Sequence, residues 1–469
     1  MWQLCFLLKK TPRIISPLAV IPKPDGGVRI IHDCSRPEGS AVNSFVGEIE
    51  KQRFQTLDEA SKLVTPNCYM AKVDLKTAYR SVNLSSQSQE VTGLKWTFPD
   101  GTEYTFYDTK LPFGSKLAPH IFHRLSQAVR RMMSRRGFTI IAYLDDFLIC
   151  ETTKQRCIQA LNILLALLRK LGFMINWSKV VDPTTKLTFL GIEIDSTAME
   201  LRLPGEKLSL LKHELAEFSK RKRASKKQLQ SIAGKLNWAS AVVHGGRVFL
   251  RRIIDAITPL KHDWHKAILH GEIWHDIEWW KKFLETFNGK SLILEKIPLS
   301  SVYTDACKQG GGVFFGCDWF YTNWENDFPV VKNLHINELE ALAVVLAAQR
   351  WGKDWENKRV VIFSDNMTTV ACLNKCTSRS KILMSYLRDL FWLSATYNFH
   401  ITAVHVPGKV NIIADFISRL HEPNAFYQFM NFYLPKPLFL RHLESHMSNQ
   451  ALSYLLCRHS KCRAGAGVG

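Results

Sequence analysis

Short apolar runs separated by polar turns dominate the first 200 residues and predict β-strands. Two of these strands, at 18–21 and 28–32, flank a turn rich in proline, glycine and charged residues. Apolar residues at helical spacing predict helices over 118–133 and 154–171. The remaining strands are predicted at 70–74, 138–143, 147–150 and 187–194.

The pattern changes after about residue 200, where the chain becomes helical in spacing and strongly basic. Residues 207–257 are predicted to be mostly helical, and tryptophan-rich helices follow them. A second α/β pattern begins near residue 300, with a turn at the three glycines 310–312. Its strands are predicted at 302–305, 313–315, 360–364 and 400–406, and its helices at 338–350 and 411–420.

These changes predict several domains, because 469 residues are too many for one ordinary hydrophobic core. The predicted segments are residues 1–200, 201–299, 300–421 and a poorly patterned tail at 422–469. The expected fold class is α/β, with α+β character in the first segment.

The composition indicates which binding partners and which cellular compartment to expect. A net charge of +20 favours nucleic acid first and an anionic membrane second, although a generally basic surface would give the same charge. The 11 scattered cysteines include no Cys-x-x-Cys pair, which suits a reducing compartment. No stretch approaches the ~18 apolar residues of a membrane span, and the N-terminal charge order does not fit a secretory signal. We therefore expect an intracellular protein, cytoplasmic or nuclear, that is neither secreted nor bound to a membrane.

Three aspartates lie at the ends of predicted strands in the first segment. Asp145 and Asp146 lie between two apolar runs, which suggests a hairpin. Asp-Asp is also a common turn, so this pair alone leaves a structural interpretation open. Asp74 closes another predicted strand. Two strands that each present aspartate can form one site for two Mg²⁺ ions, which would activate a 3′-hydroxyl and stabilise a leaving pyrophosphate.

Residues 16–195 resemble a reverse transcriptase, with that family's motifs in order. The resemblance implies that Asp74 is the first catalytic acid. Tyr-Leu-Asp-Asp at 143–146 matches the YxDD box, whose first aspartate, Asp145, is the second metal ligand, with Asp146 in the same site. Tyr79 matches the aromatic steric gate, which implies selection of deoxynucleotides; a tyrosine of the core is the alternative.

The same resemblance assigns substrate contacts. Residues 111–119 resemble the grip on template and nucleotide, in which Phe113 and Gly114 would lie against the base pair. Lys23 and Arg29 match the two basic residues that hold the incoming triphosphate. Lys179 matches a lysine proposed to protonate pyrophosphate. Without the resemblance, 111–119 would be a strand-to-helix turn, and Lys23 and Arg29 would be solvated surface.

The lysine-rich stretch at 219–227, predicted to be part of a helix, fits phosphate contacts to a nucleic-acid duplex in a thumb or connection. A solvated helix face and a nuclear-import signal remain alternatives, and composition does not separate the three.

Four acids recur in the last third of the chain, at the ends of successive predicted elements. Any one of them alone would more often be a helix cap or a surface acid. As a set they resemble the Asp-Glu-Asp-Asp group of ribonuclease H over about residues 300–420. The acids are Asp305, Glu340, Asp365 and Asp415.

Two further assignments follow from that resemblance. His405, ten residues before Asp415, matches the family's mobile histidine, which implies a part in product departure or proton transfer. Glu338 lies on the same predicted helix as Glu340. Glu340 is preferred because the alanine three residues after it fits the family's Glu-x-x-Ala packing pattern.

Together the resemblances imply a right-hand polymerase with fingers and palm at 1–200, a helical thumb and connection at 201–299, and a ribonuclease H-like mixed-sheet domain at 300–421. The implied activity is RNA-directed DNA synthesis with hydrolysis of RNA in RNA–DNA hybrids, using two Mg²⁺ per site, with Mn²⁺ as an alternative. The implied partners are an RNA template, a DNA primer, the RNA–DNA hybrid and deoxynucleoside triphosphates. The oligomeric state is left open.

Four motifs are most similar to those of DIRS-type and other long-terminal-repeat retrotransposons: Leu-Pro-Phe-Gly at 111–114, Tyr-Leu-Asp-Asp-Phe-Leu-Ile at 143–149, His-Ile-Asn at 335–337 and Ala-Asp-Phe-Ile-Ser-Arg at 414–419. The expected role is therefore retrotransposon replication. About 15 residues precede Ser16, fewer than the family's fingers usually have, which predicts a truncated N-terminus. Two alternatives remain: a non-catalytic nucleic-acid-binding relic, and a ribonuclease H with an inactive polymerase half.

Overall fold

The structure is a computed structural model that describes residues 12–22, 27–50, 52–243, 245–286, 290–294, 301–316, 318–331 and 333–433. Lys23 lies outside the described residues. The chain divides into two compact units, residues 1–200 and 201–469. No helix in the described ranges combines the length and the apolar character needed to cross a membrane.

The first unit is built on antiparallel strands, with helices between them. Its strands are β1 (Leu18–Pro22), β2 (Val28–His32), β3 (Tyr69–Asp74), β4 (Gly93–Thr97), β5 (Glu103–Tyr107), β6 (Ile140–Tyr143), β7 (Asp146–Glu151), β8 (Val181–Thr184), β9 (Lys186–Phe189) and β10 (Ile192–Asp195). Its helices are α1 (Leu57–Ser61), α2 (Ser86–Gln89), α3 (Ala118–Ser134) and α4 (Lys154–Lys170). Short 3₁₀ turns lie at Val42–Phe45, Ala78–Ser81 and Trp177–Lys179.

A four-stranded sheet in the order β6-β7-β3-β8 forms the centre of this unit. The predicted strand and hairpin pair with Val73 opposite Phe147 and Asp74 opposite Asp146. Alternate residues of the strands and one face each of α3 and α4 form a continuous core that includes Phe147 and Phe122, both fully buried. The sheet therefore places the end of β3 beside the start of β7.

The predicted strand at 187–194 is wrong in one respect, because it is two strands, β9 and β10. They pair antiparallel through Phe189 and Ile192. The backbone reverses at Leu190 (φ 49°) and Gly191 (φ 81°), in the left-handed region that glycine tolerates best. The apolar run continues across this turn, so its periodicity did not reveal it.

The second unit joins a helical part to a mixed sheet. Its strands are β11 (Glu200–Arg202, at the boundary), β12 (Arg223–Ser225), β13 (Lys266–Ile268), β14 (Lys290–Leu292), β15 (Ser301–Ala306), β16 (Gly310–Phe315), β17 (Asp318–Asn323), β18 (Arg359–Ser364) and β19 (His400–His405). Its helices are α5 (Gly205–Ser219), α6 (Lys226–Ala239), α7 (Arg251–Ile257), α8 (Glu272–Thr286), α9 (Trp324–Asp327), α10 (Ile336–Trp351), α11 (Met367–Lys375), α12 (Lys381–Tyr397), α13 (Ile412–Ser418) and α14 (Pro423–Tyr433). Short 3₁₀ turns lie at Gly246–Leu250 and Pro329–Val331.

The lysine-rich stretch is not a continuous helix, contrary to the prediction. Helix α5 ends at Ser219, β12 follows, and α6 starts after Ser225, whose side chain caps the new helix by accepting from the Gln228 amide. Strand β12 pairs with β13, so the stretch is a junction between two helices. A serine followed by glutamine three residues later is the capping-box signal that could have located this break.

The mixed sheet has the order β17-β16-β15-β18-β19. Strands β15, β16 and β17 are antiparallel, whereas β18 and β19 run parallel to β15. The three glycines Gly310–Gly312 lie inside β16 and do not form the predicted turn. A Cβ at Gly312 would meet the Ser418 amide nitrogen at 2.3 Å, so these glycines let α13 pack directly on the strand.

The C-terminal segment 422–469, which was predicted to be a poorly patterned tail, begins with helix α14. Its Phe429 is buried against Trp319 of β17, with ring centroids 4.8 Å apart. Residues 434–469 lie outside the described ranges.

Candidate active sites

The first carboxylate cluster, defined as Asp74, Asp145 and Asp146, lies at the end of β3 and the start of β7. Asp74 and Asp146 are paired across the two strands, and the Leu75 amide donates to the Asp145 carbonyl at 3.0 Å. The turn before the acids is tight because Leu144 has φ 50°. The sheet thus brings together the three aspartates that the sequence singled out.

Basic and amide side chains contact two of these acids directly. Lys179 Nζ lies 3.3 Å from Asp74 Oδ2, and Asn176 Nδ2 donates to Asp74 Oδ1 at 3.0 Å. Lys72 Nζ lies 3.1 Å from Asp146 Oδ1. The two ammonium groups offset the repulsion among the carboxylates, and a cation bound here would have to share or replace them.

Burial has the largest effect on the pKa values of Asp145 and Asp146. It raises the pKa of Asp145, and the charges of Asp146 and Asp74 raise it further. Burial also raises the pKa of Asp146, and Lys72 partly opposes this effect. Three half-buried or buried carboxylates in mutual repulsion are a donor set that suits a divalent cation.

Tyr79 and Phe113 form an aromatic wall beside the acids. Their ring centroids are 4.8 Å apart, and Tyr79 also packs edge-on against Phe122 at 5.6 Å. Burial, followed by the charge of Asp145, raises the pKa of the Tyr79 hydroxyl. The position of the Tyr79 ring is therefore fixed by packing next to the cluster.

Gly114 lies in the loop that carries Phe113. Its φ is 121°, and a Cβ would meet the His32 carbonyl oxygen at 1.9 Å. The His32 amide donates to the Phe113 carbonyl at 2.8 Å, and Asn43 Nδ2 donates to the Gly114 carbonyl at 2.9 Å. The loop is thus held against β2 and the loop that follows it.

Of the two predicted triphosphate contacts, Arg29 alone falls on described residues. It is exposed on the β1–β2 hairpin, with its guanidinium carbon 5.6 Å from the centre of the Phe113 ring. This placement puts an exposed guanidinium next to the aromatic wall.

The second carboxylate cluster lies at the carboxyl ends of β15 and β18 and on α10. Oxygens of Asp305, Glu340 and Asp365 all lie within 4.8 Å of one another, the one group of this kind among the described residues. Asp305 and Glu340 are buried, and Asp365 is half-buried. The parallel pairing of β15 with β18 brings these two strand ends to the same edge of the sheet.

The structure places Glu340, not Glu338, in this group. Glu338 completes a capping box with His335 at the start of α10 and accepts from Ser380 Oγ at 3.0 Å. Glu340 is 3% exposed, and its Oε2 has no hydrogen-bond partner among the residues that the structure describes. An orphaned buried carboxylate oxygen that faces two other acids is the feature expected of a cation site.

Asp415 and His405 lie nearby but outside the close group. Arg419 Nε donates to Asp415 Oδ1 at 2.9 Å, an ion pair within one turn of α13. His405 is exposed, and its Nε2 lies 3.1 Å from the Asp365 carbonyl oxygen. Asn411, almost fully buried, donates to the Thr304 carbonyl at 2.9 Å and so fixes the loop before α13 to the strand of Asp305.

Burial and like charge together disfavour the ionised forms of Asp305 and Glu340. Burial, followed by the charges of Asp365 and Asp415, raises the pKa of Asp305 to about 7, against the hydrogen bond from Ser418. Burial, followed by Asp305 and Asp365, raises the pKa of Glu340 well above its ordinary range. Without a cation, the folded protein therefore holds protons here that the unfolded chain releases.

We expect Asp305→Asn to stabilise the cation-free protein above pH 7. Because the folded pKa of Asp305 is about 7 and its ordinary value 3.8, the wild type should lose stability as pH rises from about 4 to 7. The loss should be on the order of 2–4 kcal/mol and then level off. Denaturant unfolding in EDTA across this pH range measures it, and Asp305→Asn should show a flatter profile.

The exposed Asp354→Asn is the control, and its unfolding profile should follow the wild type. Saturating Mg²⁺ should stabilise the wild type and not Asp305→Asn, since ligand binding to the folded state adds stability. An Asp305→Asn profile with the slope of the wild type would show that folding does not raise the pKa of this carboxyl.

Three residues in contact with the clusters were not predicted. Lys72 could have been found, because it lies two positions before Asp74 and hence on the same strand face. Ser418 Oγ donates to Asp305 Oδ2 at 2.5 Å and lies on the helix that begins near Asp415. Asn176 has no local signal, because it lies 102 residues from its partner Asp74.

Comparison with known proteins identifies the first unit. Residues 21–194 match the family model of reverse transcriptase (RNA-dependent DNA polymerase). The chain is 26% identical over 386 residues to a putative enzymatic polyprotein of Cassava vein mosaic virus, covering 76% of this chain and 53% of the relative. It is 27% identical over 374 residues to the enzymatic polyprotein of Carnation etched ring virus, covering 77% and 52%.

The chain thus spans about half the length of these two relatives. Among solved structures, the foamy viral protease-reverse transcriptase in complex with RNA/DNA hybrid aligns with a TM-score of 0.52 and 19% identity, over 85% of this chain and 51% of that one. A second foamy viral structure, with double-stranded DNA, gives a TM-score of 0.52, 20% identity, and 85% and 66% coverage. The fold class expected from the sequence is confirmed, and the chain carries a domain of the reverse transcriptase family over residues 21–194.

Proposed function

We propose that this chain synthesises DNA on an RNA template at the first carboxylate cluster and hydrolyses the RNA of RNA–DNA hybrids at the second. The observation that carries the proposal is the convergence of Asp305, Glu340 and Asp365 within 4.8 Å, in a chain whose residues 21–194 match the reverse transcriptase family. Polymerase and hybrid nuclease activities in one chain suit the replication of a retroelement, inside the cell in the cytoplasm or nucleus.

In the polymerase half, Asp74, Asp145 and Asp146 would hold two Mg²⁺, or Mn²⁺ as an alternative. The bound cations would lower the pKa of the primer 3′-hydroxyl and stabilise the charge on the leaving pyrophosphate. Lys179, 3.3 Å from Asp74, would donate a proton to that pyrophosphate. Arg29, exposed on its hairpin, would pair with the triphosphate of the incoming deoxynucleotide.

The aromatic wall would select and position that nucleotide. The Tyr79 ring is held by Phe113 and Phe122, so it cannot yield easily to a 2′-hydroxyl, and a deoxynucleotide would be preferred. Gly114, without a side chain, leaves room for the nascent base pair beside the wall.

In the nuclease half, Asp305, Glu340 and Asp365 would hold the cations. Asp415 would be a fourth ligand once its ion pair with Arg419 is broken. The bound cations would activate water and stabilise the departing 3′-oxygen. Ser418 holds Asp305 in place through its hydroxyl. His405, exposed next to Asp365, would exchange a proton with the product or assist its departure.

A ribonuclease H with an inactive polymerase half is the second candidate. The observation that favours it is that, in the described part of the chain, close convergence of three acids occurs at the second cluster alone, while lysines contact Asp74 and Asp146 in the first. A non-catalytic nucleic-acid-binding relic would show neither activity.

The proposal is tested with the full chain, a 5′-labelled DNA primer annealed to a differently labelled RNA, deoxynucleotides and Mg²⁺. The proposed function gives a longer primer and a shorter RNA in the same reaction. RNA cleavage without extension would establish the second candidate, and the absence of both products, with hybrid binding retained, would establish the relic.

A further inference from the structure

An exposed tryptophan stands among basic side chains in the loop that leads to β13. We call residues 261–266 the Trp264 platform. The Trp264 side chain is 71% exposed, and its ring stacks on His262 with centroids 4.6 Å and planes 2° apart. Because most of the indole remains open, another flat ring can stack on it.

Backbone hydrogen bonds hold the platform in place. The His265 amide donates to the His262 carbonyl at 3.0 Å and closes a turn beneath the indole. The Lys226 amide donates to the His265 carbonyl at 2.8 Å, and the Lys227 amide to the Asp263 carbonyl at 3.2 Å. The platform is therefore tied to the first turn of α6, and little ordering is needed before a ligand binds.

The surroundings of the indole are strongly basic. Residues 220–227 and 261–266 are brought together by the β12–β13 pairing. Eight of these 14 residues are lysine or arginine, and Asp263 is the single acid. Lys227, Lys261 and Lys266 are exposed. Closely spaced exposed cations are a surface for phosphate groups.

We propose that the Trp264 platform and the basic residues 220–227 bind single-stranded nucleic acid, with the indole stacked on an unpaired base and the lysines on the flanking phosphates. Single strands are favoured over duplex because a duplex covers the faces of its bases, whereas an open indole offers a stacking surface to any exposed base. Binding at this surface involves neither carboxylate cluster, so it can be tested independently of both proposed activities.

The test measures Kd by fluorescence anisotropy for the full chain with labelled single-stranded RNA and DNA, a blunt duplex, and a single strand of abasic sites. Trp264→Ala should weaken binding to base-bearing single strands at least tenfold, equivalent to about 1.4 kcal/mol. It should leave binding to duplex and abasic strands unchanged. Trp392→Ala is the matched control, because Trp392 is also exposed, at 59%, on α12 of the same unit.

A charge variant separates the two contributions. Lys227→Gln should weaken binding to base-bearing and abasic single strands alike and reduce the slope of log Kd against log salt by about 0.7. The proposal is overturned if Trp264→Ala binds base-bearing strands as the wild type does, or if it loses equal affinity for abasic strands. It is also overturned if the lysine change affects binding to a nuclear-import receptor and leaves single-strand binding intact.

Discussion

Asp145→Asn should lower the rate of primer extension on an RNA template by at least about a thousandfold, or about 4 kcal/mol in the activation barrier. The substitution keeps the size of the side chain and removes the charge that a divalent cation needs. Asp145 is half-buried in the turn between β6 and β7, and this burial, followed by the charges of Asp146 and Asp74, already raises its pKa. Single-turnover extension with a labelled primer measures the rate.

Asp182→Asn is the matched control, because Asp182 is an exposed aspartate on β8 of the same sheet. It should extend the primer at the rate of the wild type. If Asp145→Asn keeps more than a tenth of the extension rate, the assignment of the polymerase site to the first cluster is wrong.

Gly114→Ala should destabilise the first unit by about 2–5 kcal/mol. The positive φ of 121° costs about 1–2 kcal/mol for a residue with a side chain. The contact with the His32 carbonyl oxygen adds about 1–3 kcal/mol, because backbone must move to relieve it. Chemical denaturation followed by circular dichroism measures the change.

The contribution of the clash can be isolated with Gly101→Ala. Gly101 also has a positive φ, 82°, but a Cβ there meets nothing within 4 Å. It should therefore lose about 1–2 kcal/mol, the conformational part alone. Equal losses in the two variants would mean that the loop of Phe113 and Gly114 does not lie against β2 as described.

The sequence predicted elements well where local periodicity determines them. Strand β3 and helices α3 and α4 lie within a residue or two of their predicted bounds, since each is a long or strongly apolar run. The elements that were predicted wrongly depend on distant partners or on turn geometry. The break at Leu190–Gly191 interrupts an apolar run, and Gly310–Gly312 is strand because it pairs with β15 and β17, where α13 packs on Gly310 and Gly312.

In the candidate sites, too, local features were predicted from the sequence and long-range contacts were not. Aspartates at strand ends are visible in the sequence, because each closes an apolar run. Their polar partners are less visible, because Lys179 was assigned through the resemblance alone and Asn176 contacts Asp74 from 102 residues away. Similarly, the choice between Glu338 and Glu340 depends on which face of α10 meets the sheet, and the structure places Glu340 there.

The most direct test of two separate active sites is a single reaction that follows a labelled primer and a labelled RNA together, with wild type, Asp145→Asn and Asp365→Asn compared. Asp145→Asn should cleave hybrid RNA and fail to extend the primer, whereas Asp365→Asn should extend the primer and leave the RNA intact. Loss of both products in either variant, with the protein folded, would contradict the assignment of one chemistry to each carboxylate cluster.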